Sequence, residues 1–149
     1  MDLGSSGERE HDMEVTVTAV ARTEPVQLTL EATTAAVTAG RRAVRPLAVR
    51  AGADVHAVSV CVSEAVANVV FHAYREGAVG DVRVSAEVLD DALEVRVEDD
   101  GMGIAPRPDS PGMGLGLPLI ASWADFVEIE PTHPGTRIVM RFARDVRER

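Results

Sequence analysis

Two neighbouring stretches, "DVRVSAEVL" (81–89) and "ALEVRVED" (92–99), alternate apolar and polar residues along nearly their whole length. A period of two belongs to an extended chain with one buried and one wetted face. Only Asp90 and Asp91 separate them, far too few residues for a crossover helix, so the pair reads as an antiparallel hairpin. A sheet with one apolar face needs a second layer to cover it. The segments on either side have to supply that layer.

The segment "DVHAVSVCVSEAVANVVFHAYREG" (54–77) carries conflicting signals. Its valines favour a strand, but it is some twenty residues long and opens on Asp54, a good helix cap. Val58, Val62, Ala65, Val66 and Val69 recur at helical spacing, which predicts a buried helix closed by Gly77. Upstream, "VQLTLEA" (26–32) alternates as a strand, and Thr33 or Thr34 caps a helix running to about Arg50, with Gly52 as its stop. Downstream come a glycine-rich loop, a helix from about Gly114 to Phe126, and the strands "VEIE" and "TRIVMRFA" joined through "PTHPG". The order strand, helix, helix, strand, strand, helix, strand, strand predicts an α+β two-layer sandwich. Its sheet is mixed and mostly antiparallel, with helices on one face. Residues 1–24 read as a flexible acidic tail, within which "VTVTAVA" (15–21) alternates enough for an edge strand; 25–149 form one domain.

Composition narrows the function. The 149 residues suit one domain, and a 46% apolar content suits one core. No apolar run approaches the ~18 residues that cross a bilayer, and no signal peptide opens the chain. The single Cys61 excludes an internal disulfide and a zinc site built on paired cysteines. These features predict a reduced, cytoplasmic protein without a membrane partner. A net charge of −9 argues against direct nucleic-acid binding. All fifteen basic residues are arginine, which excludes a Walker-type P-loop and the eukaryotic-type protein kinases, since both need a lysine on the phosphates.

Three features remain that can carry chemistry. Glu64 and Asn68 lie four apart on one face of the second helix; alone, the plain reading is a polar pair on its wet edge. His72 reads as a surface or interface histidine and Cys61 as a small core residue. In "EDDGMGIAPRPDSPGMGLGL" (98–117) neither glycine cluster fits G-x-G-x-x-G, because Pro106 and Leu117 stand where the third glycine belongs. "DDGMG" instead puts Asp99 at a strand end, where its carboxylate can accept from an exocyclic amine such as adenine's. "GMGLGL" opens a helix, where free N–H groups favour a phosphate. Each cluster alone reads as an ordinary turn; together with Glu64 and Asn68 they do not.

These residues resemble the GHKL (Bergerat-fold) ATPase superfamily. "EAVANVVFHAY" matches its N-box, "DDGMG" and "GMGLGL" its first two glycine boxes, and "GTRIVM" its last, in order over residues 26–144. Within it the chain is most similar to bacterial anti-sigma-factor serine/threonine kinases; histidine kinases need a dimerisation helix pair for which there is no room. The resemblance implies ATP and Mg²⁺, with Asn68 as metal ligand and Glu64 as general base toward a serine hydroxyl. It assigns Asp99 to the adenine amine with Thr136 beside it, and Gly101 and Gly103 to the base pocket. Gly112, Gly114 and Gly116 would form the phosphate turn, and Arg107 or Arg75 would meet phosphate charge. The implied partners are a sigma factor, a STAS-domain anti-anti-sigma protein and a second copy of the chain, through its first strand and helix. The segment "IAPRPDSP" between the glycine boxes is shorter than the ATP lid of many relatives and holds three prolines. That departure keeps open a second reading, a catalytically silent ATP-binding module that sequesters its partner. A third reading, a stand-alone ATPase, lacks the transducer domain such machines need.

Overall fold

A computed structural model describes residues 24–103 and 113–145. Along the chain run β1 (Val26–Glu31), α1 (Thr34–Ala51), α2 (Val55–Asn68), a five-residue π-helical turn (Val69–Ala73), β2 (Asp81–Val88) and β3 (Ala92–Asp99). Then come α3 (Met113–Trp123), β4 (Phe126–Pro131) and β5 (Thr136–Ala143). The strands form one five-stranded sheet in the order β1-β2-β3-β5-β4. Every pairing is antiparallel, so the parallel pair that a mixed sheet requires does not occur among the described residues. Residues 1–23 of the acidic tail with its expected strand at 15–21, the "IAPRPDSP" segment, Arg107 and Gly112 lie outside the described residues.

Period-two patterning becomes two chemically distinct faces. Val82, Val84 and Ala86 of β2, Leu93, Val95 and Val97 of β3, and Ile138, Met140 and Phe142 of β5 are all buried in one core. The register sets Val84 beside Val97 and Val97 beside Ile138, so these rows run straight across the sheet. Burying each of these side chains larger than alanine contributes about 1.5–3 kcal/mol. The opposite face is ionic: Arg137 joins Glu98 at 2.8 Å and Glu130 at 3.1 Å, and Glu94 lies between Arg96 at 2.7 Å and Arg141 at 2.9 Å. Burial disfavours the Glu94 charge, yet its hydrogen bonds from Arg141 and Arg96 prevail and hold its carboxyl below the usual range.

α1 keeps the bounds read from the sequence, while the second and third helices end earlier than expected. α1 begins after Thr33 and ends at Gly52, which takes the left-handed conformation (φ 69°), and it runs through Pro46. Asp54 caps α2 as expected, accepting the Ala57 N–H at 3.1 Å. The predicted helix does not reach Gly77, however. It widens into the π turn and stops at Ala73, because Tyr74 is extended. α3 ends at Trp123, not Phe126, because Phe126 opens β4 and lies 4.8 Å under the Arg141 guanidinium. The 19 residues Val55–Ala73 are, by length and composition, apolar enough to cross a membrane, contrary to the reading of the sequence. In this fold that span is the central core helix, with Val58, Cys61, Val62, Ala65 and Val66 buried.

Candidate functional site

The inward row of β3 reads Leu93, Val95, Val97, so the next inward position belongs to Asp99. A carboxylate thus stands where the pattern calls for a core residue, and it is only 4% exposed. Burial pushes its pKa above the ordinary carboxylate value, and the Asp100 charge adds to this. A 2.8 Å hydrogen bond donated by the Gly101 N–H to Oδ1 opposes the rise, as does the charge of Arg83. On the neighbouring strand the register places buried Thr136 directly beside Asp99.

Asn68 is the last residue of α2, and the π turn follows it. π turns recur at functional sites because they re-aim the side chains that follow. Here Asn68, Val69, His72 and Ala73 line one cavity together with Asp99, Gly103 and Ile138. His72, read from the sequence as a surface or interface histidine, is half-buried in the cavity wall. A wider hollow adjoins at Gly103, walled by Met102, Ile129, Thr132 and Gly135 as well as Thr136.

Backbone approaches hold the two halves of the cavity together. The Met102 N–H donates to the Ala73 carbonyl at 2.8 Å. At Gly101 a Cβ would come within 2.1 Å of that same oxygen, so only glycine fits. Gly116, buried in α3, lies so close to Asn68 that a Cβ there would be 2.9 Å from Oδ1. Gly114 sits in the first turn of the same helix. The site is thus built from the end of α2, the end of β3, the start of β5 and the first turns of α3.

Not every expected residue converges. Glu64 stands one turn before Asn68 on α2, half-buried, and is not among the side chains lining the cavity. Its charge, after burial itself, helps push the Cys61 thiol up to about 11. Cys61 is a fully buried core residue whose Sγ lies 3.8 Å from the Ile120 carbonyl. Arg75 is exposed beyond the π turn and does not line the cavity.

The family described as "Histidine kinase-like ATPase domain" matches residues 29–142. The anti-sigma F factor of Clostridium novyi is 33% identical over 96 residues, covering 56% of this chain and 67% of that protein. That of Clostridium acetobutylicum is 32% identical over 100 residues, covering 59% and 69%. Among solved structures, the RsbU and RsbW domains of Rv1364c from Mycobacterium tuberculosis match with a TM-score of 0.64 and 25% identity. That match covers 84% of this chain, which spans about a third (34%) of the solved chain.

Proposed function

The chain belongs to the histidine kinase-like ATPase domain family, and from that premise we propose that it is an ATP- and Mg²⁺-dependent anti-sigma factor. In this reading it phosphorylates a serine of a STAS-domain anti-anti-sigma protein, and the phosphorylation switches which partner it holds. The observation that carries the reading is that a buried carboxylate, Asp99, and the helix-end amide of Asn68 line the same cavity.

The residues fit the groups they would hold. Asp99 spends one oxygen on the Gly101 N–H, and its remaining acceptor capacity suits the adenine N6 amine. Thr136 stands beside it, Gly101 lets the loop close on the Ala73 carbonyl, and Gly103 lines the cavity with backbone alone. Asn68 offers one neutral oxygen and would hold Mg²⁺, an ion that favours oxygen donors and needs few from the protein. Once bound, the metal neutralises phosphate charge, which no lysine in this chain can do. Gly112, Gly114 and Gly116 belong to the phosphate turn. His72 lines the cavity beside Asn68, and Arg107 is the remaining candidate cation. Glu64 accepts the serine proton while the serine oxygen bonds to the γ-phosphorus and the bond to the β-bridging oxygen breaks, leaving ADP.

One observation favours a second reading, the silent binding module: Glu64 does not line the cavity. Incubation with γ-labelled ATP, Mg²⁺ and STAS-domain proteins of the same organism, scoring transfer and co-purification together, separates the two. Label on the STAS protein supports the kinase. Co-purification without label supports the silent module. Homodimerisation through β1 and α1, in a cytoplasmic setting, completes the proposal; sedimentation at the mass of one chain counts against the dimer.

A further inference from the structure

Tyr74 closes the segment "HAY" but takes no part in the helix, with φ −112° and ψ 147°. Its ring lies against Gly80 so tightly that a Cβ on that glycine would fall 2.1 Å from the ring carbons. Its hydroxyl makes two hydrogen bonds. It donates to the carbonyl of Asp81, the first residue of β2, and accepts the Asp100 N–H at 3.1 Å. One residue earlier, the Ala73 carbonyl accepts the Met102 N–H. The chain leaving the π turn therefore grips the loop after β3 at Asp100 and at Met102, on either side of Gly101. From the sheet's ionic face Arg83 holds the Asp100 carboxylate at 2.7 and 3.0 Å.

We propose that Tyr74 is a positioning residue for base recognition. Its hydroxyl fixes the Asp100 amide, and with it the direction of the Asp99 carboxylate relative to Asn68. The side chain touches neither nucleotide nor metal and acts through the loop. Gly80 is part of the device, because any larger residue would displace the ring. The inference rests on the ATP reading of the cavity.

The test compares ATP with inosine triphosphate, which carries an oxygen in place of the N6 amine. Tyr74→Phe keeps the ring on Gly80 and removes both hydrogen bonds. ATP affinity falls about three- to tenfold, the effect of one modest hydrogen bond, because Arg83 still holds Asp100. Inosine triphosphate affinity stays within twofold, so the preference for ATP narrows. Gly80→Ala, which evicts the ring and leaves the hydroxyl intact, narrows it in the same direction and gives a second route should Tyr74→Phe fold poorly. A lowered melting temperature with the parental ATP preference overturns the proposal, because it shows a purely structural tyrosine. A parent chain that binds neither nucleotide overturns the ATP reading itself, whereas parental binding with unaltered preference in both variants overturns only the role of Tyr74.

Discussion

Replacing Gly116 by alanine separates the stability of this protein from the metal role proposed for Asn68. The added Cβ would stand 2.9 Å from Asn68 Oδ1, 3.1 Å from Nδ2 and 3.4 Å from Cγ. Ordinary van der Waals contact begins at 3.4 Å, so the amide must retreat by about half an ångström at Oδ1. A side-chain end can make that move without disturbing the core. Gly116 lies inside α3, where alanine is worth about 1 kcal/mol more than glycine, so the variant folds as well as the parent or better. A magnesium ligand tolerates no such shift, since this ion demands near-ideal octahedral geometry at roughly 2.0–2.1 Å. Loss of one charge-assisted contact, about 1.5–3 kcal/mol, weakens Mg²⁺–ATP roughly ten- to a hundredfold. ATP measured in excess chelator changes little. Titrations with and without Mg²⁺, beside a thermal melt, read all three quantities. Parental Mg²⁺–ATP affinity in a folded Gly116→Ala protein refutes the placing of the metal at Asn68.

Two further substitutions probe the base and the chemistry. Asp99→Asn weakens ATP about ten- to a hundredfold by removing a charged hydrogen bond, yet raises the melting temperature at neutral pH. The sign follows from burial: a carboxyl whose folded pKa is raised stabilises the fold most when protonated. Stability is lost as pH climbs from the ordinary value of 3.8 through the raised one. The gap between variant and parent therefore widens from acid to neutral pH, and melts across that range that run parallel contradict it. On the proposed kinase reading, Glu64→Gln retains ATP and loses phosphoryl transfer; a variant that labels a STAS-domain protein at the parental rate excludes Glu64 as base.

Much of the fold is legible in local periodicity. The 81–99 hairpin follows from alternation, and the start of α2 from Asp54. The end of α2 is not legible, because nothing in "NVVFHAY" distinguishes an α turn from a π turn. That same turn brings His72 to the cavity wall, a position its local context does not announce. Phe126 reads as helix by hydrophobicity and becomes strand because Arg141, fifteen residues on, covers its ring. At the site, Asp99 betrays itself as a charge in an inward position. The contact of Gly116 with Asn68 and the reach of Tyr74 to Asp100 join residues distant in sequence, and no periodicity encodes them.

The central claim is that Asn68 and Asp99 together frame a Mg²⁺–ATP site. Calorimetric titration of the parent, Asn68→Ala and Asp99→Asn with ATP, each with and without Mg²⁺, tests it most directly. The account predicts one saturable site per chain in the parent, strengthened by Mg²⁺. The metal's contribution vanishes in Asn68→Ala, and affinity falls with or without metal in Asp99→Asn. A parent that takes up no ATP, or variants that bind it as the parent does, would contradict the account.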